Sequence, residues 1–130
     1  MVLAVSVGLI IVYYFRGSPT DHSFPLTIKL DKYEYYPSET MHITITNVSN
    51  ETLVFSDTAY DLVYHRWNGT GWQRYTSIPG GAAITELEPG ETDLVVWEAS
   101  THQGSLFPPG RYRVGTKDVY AEFDVISGNG

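Results

Sequence analysis

The sequence contains no cysteine. This absence excludes disulfide bonds, thiolate nucleophiles and cysteine-based metal sites, so packing and hydrogen bonds alone must hold the folded chain together. Basic residues are also few: eight lysines and arginines stand against fifteen acidic residues, which gives a formal net charge of −7. The eight cations are dispersed and form no stripe that could neutralise phosphates, so we expect no nucleic-acid partner.

The motifs of common catalytic and metal centres are missing as well. Four histidines are present, and none forms a close pair with a carboxylate partner at metal-ligand spacing: His22, His42, His65 and His102. There is no G-x-S-x-G nucleophile elbow, and the acidic residues near turns lack the spacing of a calcium loop. We therefore predict that the protein is not an enzyme and that it binds no metal and no cofactor.

Long apolar runs are confined to the N-terminus, where residues 2–15 read VLAVSVGLIIVYYF. As a helix this run would rise about 21 Å. The hydrocarbon core of a bilayer is about 30 Å thick and takes roughly 20 helical residues to cross, so the run is somewhat short. Its exit, residues 13–16 (YYFR), combines aromatic and cationic side chains as membrane-interface anchors do. We predict that residues 1–17 form a membrane anchor or signal segment, with a pilin-like assembly helix as the alternative.

Three N-x-S/T sequons begin at Asn47, Asn50 and Asn68. Each falls in a predicted turn, where exposure permits glycosylation. Taken one at a time, each is equally well read as a polar turn. Together with the predicted anchor, they favour a domain that is extracytoplasmic, membrane-anchored and located at the cell surface.

Helical periodicity is missing from residue 24 onward. Short runs instead alternate apolar and polar residues between turns rich in proline and glycine, a pattern typical of an all-β protein. The turns recur roughly every eight to twelve residues, the spacing of a sandwich or barrel. Nine strands are predicted: Leu26–Leu30, Met41–Thr46, Thr52–Ser56, Asp61–Trp67, Trp72–Thr76, Ala83–Leu87, Thr92–Glu98, Gly110–Gly115 and Val119–Ile126.

Alternation within these strands also predicts which side chains are buried, because successive side chains point to opposite faces. Trp97 has the opposite phase to Val96, so we expect it at an edge or exposed. The predicted inward set comprises Met41, Ile43, Ile45, Leu53, Phe55, Leu94, Val96, Tyr112, Val114, Ala121, Phe123 and Val125.

Three phrases resemble known families. Residues 35–40 (YYPSET) resemble the opening Y-x-P-G-E phrase of immunoglobulin-like modules in prokaryotic surface proteins, with Ser38 in place of the usual glycine. Residues 87–91 (LEPGE) and 108–114 (PPGRYRV) resemble the closing half of the BsuPI-type domain, named for a bacterial intracellular proteinase inhibitor. The resemblance implies an immunoglobulin-like antiparallel β-sandwich of about 7–9 strands. The N-terminal segment departs from the intracellular inhibitor, so we transfer the fold and not the inhibition.

The resulting domain organisation has four parts. An N-terminal hydrophobic helix in residues 1–17 precedes a linker over residues 18–25. The immunoglobulin-like sandwich covers residues 26–126, and residues 127–130 form a flexible tail.

Aromatic residues crowd one predicted hairpin, whose tip is residues 68–71. Tyr64, Trp67, Trp72 and Tyr75 are the predicted binding residues, since aromatic faces near a loop stack on sugars or anchor a partner protein. The alternative is that half of them fill the core and the rest pair across strands. Trp67 and Trp72 flank the tip and are the two that we expect to be exposed.

The predicted function is a membrane-tethered extracytoplasmic binding or adhesion module of a prokaryotic cell-surface assembly, archaeal ones included. Its expected partners are a protein or identical subunits at the cell surface, and the membrane through residues 2–15. We expect no nucleic acid and no small-molecule ligand. The alternatives are a pilin-like filament subunit and a BsuPI-like protease inhibitor.

Overall fold

The computed structural model describes residues 24–98 and 107–127. All regular secondary structure in these ranges is β-strand, as the alternating pattern predicts. The predicted hydrophobic helix of residues 1–17 lies outside the described residues. Within the described ranges, no helix has the length and apolar character needed to cross a bilayer.

Ten strands occur in the described residues. Nine of them match predicted strands to within two residues at either end, and the tenth is the two-residue β2. The strands are β1 (Leu26–Leu30), β2 (Glu34–Tyr35), β3 (Thr40–Asn47), β4 (Leu53–Phe55), β5 (Val63–Trp67), β6 (Trp72–Ser77), β7 (Thr85–Leu87), β8 (Thr92–Glu98), β9 (Gly110–Thr116) and β10 (Val119–Val125).

The strands form three sheets. One has the order β1-β3-β8, a second has the order β2-β10-β9-β5-β6, and β4 pairs with β7. All pairs are antiparallel except β2 with β10, which is parallel. The chain therefore leaves the three-stranded sheet after β1, joins the five-stranded sheet for β2, and returns for β3.

The core lies between the three-stranded and five-stranded sheets. Tyr64 of β5 reaches across it: its ring centroid is 5.4 Å from that of Trp97 in β8, and its hydroxyl lies 3.3 Å from the sulfur of Met41 in β3. Alternate residues of β3, β9 and β10 are buried here, as predicted, together with Phe55 of β4: Met41, Ile43, Ile45, Phe55, Tyr112, Val114, Ala121, Phe123 and Val125. Leu53 is partly buried against the same cluster.

The predicted facing of β8 is wrong. Leu94 and Val96 are 52% and 44% exposed, whereas Trp97 is only 4% exposed. The register explains the difference: Trp97 lies opposite the inward-facing Met41, and Val96 lies opposite the exposed His42. Apolar side chains occur on both faces of this strand. The face that carries the indole of Trp97 is the buried one, because burying the larger side chain removes more apolar surface from water.

Asn47, at the end of β3, is fully buried and acts as a hydrogen-bonding hub. Its Nδ2 donates to the carbonyl oxygens of Glu51 and Leu87, both at 2.8 Å. Its Oδ1 accepts from the Ser49 amide at 2.8 Å and hydroxyl at 2.7 Å. The side chain thus joins β3, the turn after it and the end of β7. Because glycosylation needs an accessible Nδ2, Asn47 must be withdrawn from the predicted glycosylation sites.

Tyr60 links the loop before β5 to β8. Its hydroxyl donates a hydrogen bond to the carboxylate of Asp93 while its ring is buried against Phe55, at 5.0 Å between centroids. Burial of the phenol and its bond to the Asp93 carboxylate raise the pKa of Tyr60 to about 12. Both effects disfavour the phenolate in the folded state only.

We expect Asn47→Ala to lower the free energy of unfolding by about 2–4 kcal/mol, because it leaves buried carbonyl and amide groups without partners. Urea denaturation with a constant m value measures this loss. Asn50→Ala, in the same turn but exposed, is the matched control and should change stability by less than about 0.5 kcal/mol. Equal effects of the two substitutions would contradict the role assigned to Asn47.

The raised pKa of Tyr60 predicts a loss of stability at high pH. The stabilisation is complete below the ordinary tyrosine pKa of 10.0 and disappears as the pH rises through the folded-state pKa of about 12. Tyr60→Phe should therefore be less stable than the wild type at pH 8 and should lose less stability between pH 8 and pH 12. Urea midpoints along this series test the prediction, which fails if the two proteins lose stability in parallel.

Candidate functional site

The predicted aromatic hairpin consists of β5, β6 and a tip at residues 68–71. Asn68 Oδ1 accepts hydrogen bonds from the amides of Thr70 and Gly71, at 2.8 and 2.9 Å, which closes the turn. The closed turn places Trp67 directly opposite Trp72. Their rings meet edge to face with centroids 5.3 Å apart, and Trp67 is 39% exposed.

A β-bulge separates the four predicted binding residues into two groups. The pairing of β5 with β6 shifts between Tyr64 and His65. Tyr64 is fully buried in the core, so no external ligand can reach it and its assignment to the binding surface is corrected. Tyr75 packs on the core rings of Phe107 and Tyr112, at 5.0 and 5.5 Å. Trp67 and Trp72 come together on the outer face of the sheet, where Trp67 is exposed as predicted and Trp72 is partly buried; Tyr75 keeps 37% of its surface exposed beside its core contacts.

A residue that the sequence pattern did not single out completes this surface. Arg113 of β9 lies in register with His65 of β5. Its guanidinium carbon is 3.8 Å from the ring centroid of Tyr120 and 4.7 Å from that of Trp72. The cation is thus held between two aromatic rings, an arrangement that stabilises a guanidinium by cation–π attraction. We call Trp67, Trp72, Arg113 and Tyr120 the aromatic–arginine ladder.

Tyr120 occupies its position in the ladder because Gly115, its partner in the β9–β10 pair, has no side chain. A Cβ atom at Gly115 would lie 2.4 Å from Cδ1 of Tyr120 and 2.0 Å from the carbonyl oxygen of Val119. Glycine in a strand marks a close approach of this kind. The Tyr120 ring therefore fills the space that a side chain at residue 115 would take.

Arg113 forms no ion pair with its cross-strand partner Glu122, whose carboxylate lies nearer to Arg111. Arg111, two residues before Arg113, pairs with Asp124 at 3.5 Å and Glu122 at 3.9 Å. Among the side chains that the structure describes, no carboxylate comes within ion-pair distance of Arg113. The pKa of His65 is lowered by burial and by the charges of Arg113 and Arg74. This local positive field contrasts with the net charge of −7.

The remaining predicted glycosylation residues lie in accessible turns. Asn50 is exposed in the turn after β3, and Asn68 is exposed at the tip of the aromatic hairpin. The Oδ1 atom of Asn68 is used by the turn. A sugar on Asn68 would stand next to Trp67 and Trp72, at the end of the ladder.

No protein-family model matches the sequence, and no curated protein matches it. Among solved structures, a β-glucosidase from Listeria innocua in complex with gluconolactone matches at 21% identity with a TM-score of 0.41. The same enzyme with isofagomine matches at 18% and 0.44, and a β-glucosidase from Erythrobacter marinus at 14% and 0.42. These matches cover 79–80% of this chain but only 15–16% of the enzymes' chains. Similarities this weak assign neither a fold nor an activity.

Gly115→Ala should disturb the ladder, because its methyl group would collide with backbone and ring atoms that have little freedom to move. We expect a loss of about 1–3 kcal/mol in unfolding free energy, the usual range for overpacking, together with altered near-UV circular dichroism. Gly71→Ala is the matched control, since a Cβ there meets nothing within 4 Å. A Gly115→Ala protein with wild-type stability and spectrum would contradict this account of Tyr120.

Proposed function

We propose that the described residues form an immunoglobulin-like β-sandwich. Two features support this assignment. In the sheets, β9 lies between β5 and β10, and β3 lies between β1 and β8, as strand F lies between C and G, and strand B between A and E, in that fold. The hydroxyl of Tyr112 in β9 donates to the carbonyl oxygen of Pro108, four residues upstream, at 2.5 Å. This contact has the form of the tyrosine corner of immunoglobulin-like domains.

We infer that the protein acts by binding, through the outer face of the five-stranded sheet. The single observation that carries this function is Arg113, whose guanidinium lies against the rings of Trp72 and Tyr120 and forms no ion pair with a described carboxylate. Tryptophan, tyrosine and arginine dominate binding energy at protein interfaces. A fixed cation beside the exposed Trp67 is prepared to bind a partner with little loss of side-chain entropy.

The proposed setting is the outer surface of a prokaryotic cell, where the module is tethered to the membrane and adheres to another surface component. The apolar residues 2–15 support the tether. The exposed asparagines of two sequons, Asn50 and Asn68, support an extracytoplasmic location.

Substitutions in the ladder should weaken binding to the cell surface. We expect Trp67→Ala and Arg113→Gln each to reduce the affinity of the full chain for cell envelopes isolated from its source organism by about 10- to 30-fold, the effect of losing an interface hot spot. Binding of fluorescently labelled protein to the envelopes measures it. Leu94→Ala is the matched control, because Leu94 is exposed on the outer face of the three-stranded sheet and should leave affinity unchanged.

Envelope binding that is equal for all four proteins would overturn the assignment of the ladder. Two further measurements on the wild-type chain separate the two alternatives. A filament subunit would show self-assembly of the wild-type chain in electron micrographs, and a BsuPI-like inhibitor would slow cleavage by a member of a protease panel. Either result without envelope binding would replace the adhesion module as the proposed function.

A further inference from the structure

A groove of about 410 Å³ opens on the outer face of the five-stranded sheet, beside the ladder. His65, Arg74 and Tyr120 line one part of it, and the β9–β10 turn with Lys117 and Asp118 lines another. The volume lies in the range of about 300–1,000 Å³ that is typical of small-ligand sites. The groove is therefore large enough for one monosaccharide-sized group, with more of a chain continuing over the open face.

Several charged residues that line this groove have left-handed backbone conformations. Four non-glycine residues in the described ranges have positive φ, namely Tyr60, Asp61, Lys117 and Asp118, with values of 52–66°. Three of them, Asp61, Lys117 and Asp118, line the groove. Lys117 and Asp118 form a two-residue hairpin turn in which asparagine and glycine adopt the same backbone angles with less strain. Backbone strain of this kind collects at functional sites.

The lining combines charges of both signs. Arg74 and Lys117 supply permanent cations, although the Lys117 Nζ also lies 4.7 Å from the ring centroid of Phe55, and Asp61 and Asp118 supply carboxylates. Both Asp61 oxygens already accept from Ser56, Oδ1 from the hydroxyl at 2.5 Å and Oδ2 from the amide at 2.9 Å, so the loop orients the carboxylate and a ligand would use its remaining lone pairs. A ligand that fits must offer an anion to the cations and hydrogen-bond donors to the carboxylates.

These requirements discriminate between ligand classes. A neutral sugar offers donors but leaves Arg74 and Lys117 without an anion. An acidic peptide offers carboxylates but sets some of them against Asp61 and Asp118, and like charges at short range repel. An acidic sugar has one carboxylate and several hydroxyl groups on the same ring, so it satisfies both sets of residues.

We propose that this groove binds a uronic acid unit of an acidic surface glycan, with its carboxylate at Arg74 and Lys117 and its hydroxyls toward Asp61 and Asp118. The proposal rests on the proposed binding function and names the chemistry of the partner. The neighbouring Trp67 and Trp72 would then contact the next units of the glycan, because sugar rings pack on aromatic side chains. This ligand class differs from the protein partner that the sequence led us to expect.

The test is calorimetric titration of the full chain in detergent with a hexamer of galacturonic acid. We expect Arg74→Gln and Lys117→Asn each to weaken binding by at least about tenfold. Asparagine suits the left-handed position of Lys117, so the second variant removes the charge and keeps the turn. Lys29→Gln, on the outer face of β1, is the control for net charge and should bind like the wild type.

Three results would overturn the inference: no binding of the hexamer, equal weakening by Lys29→Gln, or equally tight binding of a hexamer of glutamic acid or of a neutral glucose hexamer. The envelope assay keeps this failure separate from failure of the proposed function. If envelope binding still depends on Trp67 and Arg113 while the uronate hexamer does not bind, only the ligand class is wrong. If neither assay shows binding, both proposals fall.

Discussion

The packing of Tyr64 between the two sheets is the interaction on which the rest of the structure depends. Its ring meets Trp97, Phe107 and Phe123 edge to face at 4.9–5.9 Å, and its hydroxyl contacts the sulfur of Met41. With no disulfide available to join the sheets, these contacts hold them in place, and each aromatic pair contributes about 0.5–1.5 kcal/mol beyond burial. The position of β5 is fixed from the inside, so its opposite face is held rigidly. That rigid outer face carries the aromatic–arginine ladder.

Sequence alone predicted the all-β class and nine of the ten strands in the described residues, because these strands alternate between well-marked turns. β8 shows where this reasoning stops. Its residues are apolar in both phases, so alternation cannot select the buried set, and only the pairing of Trp97 with Met41 decides it. The two-residue β2 is too short to show any period. Asn47 has the sequence pattern of an exposed turn residue. It is buried because its side-chain amide donates hydrogen bonds to backbone carbonyl groups of two segments.

Two of the four ladder residues could be predicted from the sequence, because only these two are close together along the chain. Trp67 and Trp72 are close in sequence and flank one turn, so their pairing follows from the local pattern. Arg113 and Tyr120 are distant in sequence and join them only because β9 pairs with β5, a long-range contact that composition does not reveal. The signal that could have pointed to them is the glycine at residue 115 opposite Tyr120, which marks a strand where a ring lies over the backbone.

The parallel pairing of β2 with β10 has a mechanical consequence. The Asp124 amide donates to Tyr33 O at 2.8 Å and the Ile126 amide to Tyr35 O at 2.9 Å, so the first and last parts of the domain are fastened side by side. β1 precedes β2 and pairs with β3, so tension from the N-terminal side reaches β2 after β1; tension on β2 and residue 127 in opposite directions then pulls β2 and β10 along their own axes. The hydrogen bonds between the two strands then bear the load in shear, all at the same time, and do not break one after another. A domain stretched between a fixed point and a moving surface would hold longest in this geometry.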